Sequence, residues 1–403
     1  MRIVSVPARV GTRGTDGYRA YLDHAATTPL RPEALEAMLP LLTEGFANPS
    51  GAHTESRRAR IALDDARDQL AELLGADPGE VVLTSGGTEA DDLAVNGGWE
   101  AVAATRPDGP PPAVVCSAIE HHAVLRACRA LSARTGAELR EVPALPDGRI
   151  DLDALAEACR GDVGLVTVMA VNNELGTVQP LADIARLVAE RSPDAVLHTD
   201  AVQAVPWLDA AAVAAEAALV SVSAHKFGGP KGVGALVVRH GARVRPRIDG
   251  GGQERGRRSG TPNVAGAVGA AAALAATVAG RDDDVARVRA LRDRLGDGLV
   301  ARVSGAVESG DRDRRVAGIL HVRVPGVESE AAVVLLDEAG VAASAGAACS
   351  SGAVEPSHVL TAMGLGAAEA SSGLRFSLGV TTTGEDVDHA LAQVPGVLDA
   401  LRN

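Results

Sequence analysis

Lysine is nearly absent from this chain: of its 39 basic residues only Lys226 and Lys231 are lysines, and the rest are arginines. Arginine replaces lysine as a surface cation but cannot form a Schiff base, because its guanidinium stays protonated above a pH of about 12. The two remaining lysines are therefore candidates for chemistry. Lys226 follows His225 at the end of the apolar run ALVSVSA and precedes FGGPKGVG, a glycine-rich segment expected to be mobile. Asp200 closes the run AVLHTD, with Gln203 one helical turn later. A carboxylate in a partly buried cleft needs a cationic partner, and a protonated ring nitrogen would serve. His121 follows AVVCSAIE and offers a flat ring for stacking or proton transfer. Thr84 to Asp92, TSGGTEADD, follows an apolar run and opens a helix, so its glycine pair and Thr88 would aim N–H groups and a hydroxyl at an anion.

Each of these residues has a plain structural reading when taken alone: Asp200 as a helix cap, His121 and His122 as a solvated pair, His225 as a core histidine, the glycine pair as a turn. Together, a lysine, an acid for a ring nitrogen, a stacking ring and a phosphate cup meet the needs of pyridoxal phosphate. A metal site fits less well, because His121, His122 and His225 have no thiolate or carboxylate neighbours at ligand spacing. Nucleotide binding is disfavoured as well, since the glycines do not match GxxxxGK[ST].

The elements that must position these groups are short apolar runs ending in polar or glycine-rich turns and alternating with helical stretches: VVLTSGG, AVVCSAIEHH, GLVTVMAVNNELG, AVLHTDAVQ, ALVSVSAHKFGG and GVGALVVR. That alternation predicts an α/β fold with a mostly parallel sheet, of the seven-stranded type, flanked by helices, and such sheets bind ligands at the C-terminal ends of their strands. Helical periodicity covers 33–42 and 56–74, with Gly75 as the stop. After the Ala-rich helix VAGAVGAAAALAATVAG a smaller α+β domain is expected, with a helix in VARVRALRDRLGDGL and strands near GILHVRV and LRFSL. The expected division is a large cofactor domain over 34–280, a small domain made of 20–33 with 281–403, and a flexible extension over 1–19.

With 403 residues, 46% hydrophobic and 23% charged, the chain has material for a large core. Its net charge of -13 argues against direct nucleic-acid or anionic-membrane binding. No apolar run reaches the roughly 20 strongly apolar residues of a membrane span. The N-terminal residues lack the uninterrupted apolar segment of a secretory signal, so a cytoplasmic location is expected. The four cysteines show no Cys-x-x-Cys pair. Cys116, Cys128 and Cys159 fit small core residues, whereas Cys349 lies in AASAGAACSSGAVEP, whose composition predicts a mobile loop.

The segments YLDHAATTPLRPE, NPSGAH, TSGGTEADDLA, EHHAVL, VNNELGTVQP, HTDAVQ, SVSAHKFGGPKGVGAL, GGGQERGRRSGTPN, SAGAACSSG and LRFSLG run in one order from Tyr21 to about Gly379. In them the chain resembles the cysteine desulfurases, class V aminotransferase-like enzymes of the fold type I pyridoxal phosphate group. The resemblance implies that Lys226 holds the cofactor as a Schiff base, Asp200 pairs with its ring nitrogen, His121 stacks on the ring and Gln203 contacts the phenolic oxygen. It implies phosphate binding by Gly87, Thr88, Ser223 and His225, with Thr261 reaching across from the second subunit of a homodimer. Asn173, beside the cofactor, and Arg375 would hold the carboxylate of L-cysteine.

On the same resemblance Cys349 is the nucleophile that takes sulfur from L-cysteine as a persulfide, leaves L-alanine, and hands the sulfur to an acceptor protein. Its thiol has an ordinary pKa of about 8.5, so the site must help deprotonate it, and His121 is a candidate. The alternatives are a selenocysteine lyase or another pyridoxal phosphate lyase or aminotransferase on the same fold, and dependence on Cys349 separates them. Two residues depart from the family pattern, His24 in LDHAATTP and Asp92 in TEADD; neither touches a residue given a role above.

Overall fold

The computed structural model describes residues 17–346 and 356–402. Seven buried strands form the main sheet: β2 (Val81–Thr84), β3 (Ala113–Ser117), β4 (Leu139–Val142), β5 (Val163–Thr167), β6 (Val196–Asp200), β7 (Leu219–Ser223) and β8 (Gly234–Val238), in the order β2-β8-β7-β6-β5-β3-β4. All pairings are parallel except the two made by β8, which runs against both β2 and β7. Most of these strands are Val- and Leu-rich with every residue buried, the composition of a sheet covered on both faces. The expected α/β architecture is the one observed.

The smaller sheet is antiparallel, in the order β12 (Ser344–Ala345), β13 (Gly373–Ser377), β10 (Ile319–Arg323), β9 (Val307–Glu308). The N-terminal strand β1 (Ala20–Tyr21) pairs in parallel with β11 (Val341–Ala342), and Asp23 continues that path as a bridge to Ser377. Residues 20–25 are thereby bound to the C-terminal part of the chain. The expected extension also ends sooner than position 19. The Tyr18 hydroxyl donates to Asp386 Oδ1 at 2.8 Å and its ring lies 5.1 Å from that of His389, while Arg19 pairs with Asp337. Residues 1–16 lie outside the described residues.

The predicted helices over 33–42 and 56–74 are Pro32–Thr43 and Thr54–Leu73, the first with proline in its opening turn and the second followed by Gly75 at φ +59°. The expected boundary at 280/281 is not a break: Val264–Arg302 is one helix of 39 residues. Gly280 costs a helix only about 1 kcal/mol relative to alanine, which packing against Pro32–Thr43, Thr54–Leu73 and the C-terminal helix Gly384–Arg402 outweighs. By length and composition it is the one described helix able to cross a membrane, yet more than half of its apolar stretch is buried inside the fold. Cys116, Cys128 and Cys159 are buried and outside any disulfide, as expected of core residues.

Candidate functional site

The turns that follow the strands of the main sheet open onto one cavity of about 320 Å³. Gly87 and Thr88 follow β2, His121 follows β3, Asn173 follows β5, Asp200 ends β6 with Gln203 beyond it, and Ser223, His225 and Lys226 follow one another at the end of β7. Arg375 enters from β13 of the small sheet. Ten of the residues singled out in the sequence thus line a single space. A second cavity of about 160 Å³, lined by His24, Trp207 and Leu378 among others, shares Ala25, Gln203 and Lys226 with it as a common wall.

Lys226 sits in a single turn, Ala224–Lys226, whose entry is fixed by β7. Its Nζ donates to the carbonyls of Ala25 at 2.7 Å and Ala26 at 2.9 Å. The following FGGPKGVG segment, expected to be mobile, is held by backbone bonds: Gly229 N–H to Ala224 O at 2.8 Å, Ala224 N–H to Val233 O at 3.0 Å and Arg31 N–H to Gly228 O at 2.8 Å. It closes the tight connection from β7 to the reversed strand β8.

Asp200 is buried, and its Oδ1 accepts from the Val202 N–H at 2.8 Å. Burial pushes its pKa up to about 6, against the pull of that N–H and of the Lys226 charge. Such a group takes full charge when a cation faces it. Two further acids lie deeper: Asp91 and Glu120 are both held well above the carboxylate range by burial and by the Asp200 charge. His121 caps the helix His122–Thr135, its Nδ1 accepting from the Ala123 N–H at 3.1 Å, so the cap also sets the orientation of the ring. Burial and then the Lys226 charge lower its pKa to about 4, leaving a neutral ring at physiological pH. The same two causes bring His225 to about 4, with its Nδ1 3.1 Å from Thr27 Oγ1.

These groups fit a phosphorylated pyridine aldehyde. Gly86, at φ +146°, has a backbone conformation that side chains rarely adopt, and it turns the chain into the helix that begins at Gly87. A Cβ on Gly87 would lie 3.1 Å from Val202 Cγ2 and 3.4 Å from Ser223 Cβ, so glycine keeps the floor of the anion cup open. An amine, an acid that gains its charge beside a cation, a neutral ring and a hydroxyl-lined cup supply what the amine-reactive, pyridinium and phosphate parts of such a molecule require.

Two of the sequence-derived residues are not among these. Thr261 is exposed and lines a separate cleft with Ser85, Arg258 and Asn263. Cys349 lies outside the described residues. Sequence reasoning missed Asp23, the Ala25 and Ala26 carbonyls, Asp91, Met169 and Gly346. Asp23 and Asp91 stood inside the quoted segments YLDHAATTPLRPE and TSGGTEADDLA, but nothing in their local spacing assigned them a partner. Of the two departures, His24 Nδ1 lies 2.7 Å from Thr28 Oγ1, and Asp92 accepts from Asn96 and Arg247 away from the cavity.

Known proteins resemble this chain over nearly its whole length. The family model described as aminotransferase class-V matches residues 20–390. An IscS-like cysteine desulfurase of Mycobacterium tuberculosis is 44% identical over 388 residues, covering 95% of this chain and 97% of that protein. Among solved structures, a NifS-like protein is 34% identical, with a TM-score of 0.87 over 95% of this chain and 100% of the other. SspA in complex with cysteine is 33% identical, with a TM-score of 0.76 over 90% of this chain and 100% of the other.

Proposed function

Because the chain belongs to the class-V aminotransferase family and, within it, to the cysteine desulfurases, we propose that it converts L-cysteine to L-alanine with pyridoxal phosphate at Lys226 and moves the sulfur to Cys349. The observation that carries this assignment of residues is the convergence of Lys226, Asp200, His121, Arg375 and the Gly87–Thr88 cup on one cavity. When bound, the cofactor supplies a ring that withdraws electrons from the substrate's α-carbon. Asp200 keeps a proton on the ring nitrogen, and Lys226 Nζ removes and returns the proton at the α-carbon. His121, neutral and oriented by its cap, lies against the ring and is the candidate to take the Cys349 thiol proton. Gln203 meets the phenolic oxygen; Gly87, Thr88, Ser223 and His225 bind the phosphate. Asn173 and Arg375 hold the substrate carboxylate.

In this reading the Cβ–S bond of the substrate breaks as the Cys349 thiolate attacks the sulfur and an S–S bond forms. The electron pair of the broken bond returns to the carbon skeleton, which takes up a proton and leaves as alanine. The persulfide then passes to an acceptor protein. The working unit is a homodimer in which Thr261 completes the phosphate site of the other subunit. Support comes from the exposure of Thr261 beside a surface groove that holds Leu42 and Phe46, the latter 79% exposed. A cytoplasmic location suits thiol chemistry, and Cys116, Cys128 and Cys159, outside any disulfide, accord with a reducing compartment.

The test is release of alanine and sulfide from L-cysteine, with pyridoxal phosphate and a reductant, by the parent protein and by Cys349→Ala. The parent should release both and the variant neither, while the variant keeps the cofactor's visible absorbance. Equal release by the two proteins would remove Cys349 from the reaction.

A further inference from the structure

Arg375 occupies the middle of β13, in register with His321 of β10 on one side and Ser344 of β12 on the other, and is 5% exposed. Its guanidinium is held at two corners. Nη1 donates to the Asn173 carbonyl at 2.9 Å, and Nη2 donates to Asp23 Oδ1 at 2.9 Å. Asp23 is itself tied down: the same Oδ1 accepts from Ser344 Oγ at 3.1 Å, and its backbone bridges to Ser377, two residues along β13 from Arg375. Arg375 lines the cavity, and its Nε is buried with no hydrogen-bond partner among the described residues.

A guanidinium is a planar fork of five N–H groups. Two are used by Asn173 and Asp23. The buried Nε–H is left over, and a donor left over in a buried site is costly unless something binds it. A planar fork held in this way is suited to the two oxygens of a carboxylate. Rotation of the fork is prevented only if both fixed corners hold. The Asn173 carbonyl is neutral backbone; Asp23 is the charged one, and it comes from the far end of the chain. Its negative charge opposes a second carboxylate nearby, so its presence makes sense as orientation rather than attraction, the gain lying in a receptor already aligned when the substrate arrives.

We propose that Asp23 is the positioning residue of the substrate-carboxylate receptor, holding the Arg375 guanidinium in a fixed orientation at the cavity wall. The proposal rests on the assignment of Arg375 to the carboxylate of L-cysteine, and the experiment separates the two. The holoenzyme carrying Asp23→Ala, Asp23→Asn, Ser344→Ala or Arg375→Ala is compared with the parent in KM and kcat for L-cysteine. The affinities of L-alanine and of ethylamine, which is alanine without its carboxylate, are read from the change in cofactor absorbance.

Asp23→Ala should raise KM by about tenfold or more while kcat stays within about threefold, as expected for loss of a supporting contact. The L-alanine dissociation constant should rise in parallel and that of ethylamine should not move. Asn presents an acceptor oxygen at the same place, so Asp23→Asn should recover most of the loss. Ser344→Ala, which removes only the donor to Asp23, should shift KM in the same direction by roughly two- to fivefold, and stands as the test if Asp23→Ala does not fold. Equal weakening of L-alanine and ethylamine, or a fall in kcat with KM unchanged, would overturn the proposal. An Arg375→Ala protein that keeps the parent's KM would overturn the assignment of Arg375 itself. A raised KM in Arg375→Ala beside an unchanged one in both Asp23→Ala and Ser344→Ala would overturn the positioning role alone.

Discussion

The cavity has two unlike walls. One is built by the main sheet, where Gly87, His121, Asn173, Asp200, Ser223 and Lys226 each stand at or shortly after the end of a buried strand. The other is built by the two ends of the chain, with Ala25 and Ala26 from the N-terminal segment, Gly346 after β12 and Arg375 on β13. On the first wall the backbone of each residue is placed by its own strand and turn, with Lys226 Nζ and His225 Nδ1 also contacting Ala25, Ala26 and Thr27. On the second, placement depends on bonds between side chains remote in sequence, such as the pair Asp23 and Arg375, 352 positions apart. A substitution on the sheet wall should therefore remove a chemical function and leave the frame intact, whereas one on the other wall should disturb neighbours as well.

The sharpest test of the sheet wall is Lys226→Ala. Turnover of L-cysteine should fall by roughly 10³-fold or more, as for removal of a covalent participant, with thermal stability close to that of the parent. Alanine release and a melting curve measure the two halves of that statement, and a large loss of stability would erase the contrast between the walls. Asp200→Asn comes next. It keeps the shape and removes the charge proposed to face the ring nitrogen, and turnover should drop by about 10²-fold, with a changed visible spectrum, as when a preorganised electrostatic partner is removed.

The smallest effect is a pH effect between the two walls, at a residue next to Asn173 and beside Arg375. Glu174 is fully buried beside Arg375, its Oε2 accepting from Ser357 Oγ at 2.6 Å. Burial pushes its pKa from 4.5 up to about 7, against the Ser357 hydrogen bond and the Arg375 charge. The folded state thus holds this proton more tightly than the unfolded chain. That contribution to stability is complete below pH 4.5 and is lost as pH rises to about 7. Glu174→Gln, which cannot ionise, should melt a few degrees above the parent at pH 8, with the difference closing toward pH 4.5. A difference that does not depend on pH would mean that the carboxyl is not titrating in that window.

The two walls also differ in how far the sequence reveals them. Lys226 stands out because the chain otherwise avoids lysine, and Asp200, His121 and the glycine pair stand out because each closes an apolar run. Placement by local turns leaves local signals. Asp23 lies within a quoted segment and yet carries no mark of its partner, because a contact across 352 residues has no spacing to read. Tyr18 falls in the expected flexible extension for the same reason: its partner Asp386 lies in the last helix. The expected boundary at 280/281 lies where the Ala-rich run ending at Gly280 gives way to charged residues. Only the helices packed alongside explain why Val264–Arg302 continues without a break. The apparent looseness of FGGPKGVG came from its glycines, which serve instead to close a tight reversal.

That unbroken helix is about 58 Å long at 1.5 Å per residue. About a third of the way along it, the Thr277 hydroxyl donates to the Phe227 carbonyl, next in sequence to Lys226. Further on, Arg287 donates to the carbonyls of Val380 and Thr382, and Arg294 to that of Gly384, just beyond the strand that carries Arg375. It acts as a spar with both reactive walls pinned to it. The distance between the lysine and the arginine is thereby referred to one stiff member.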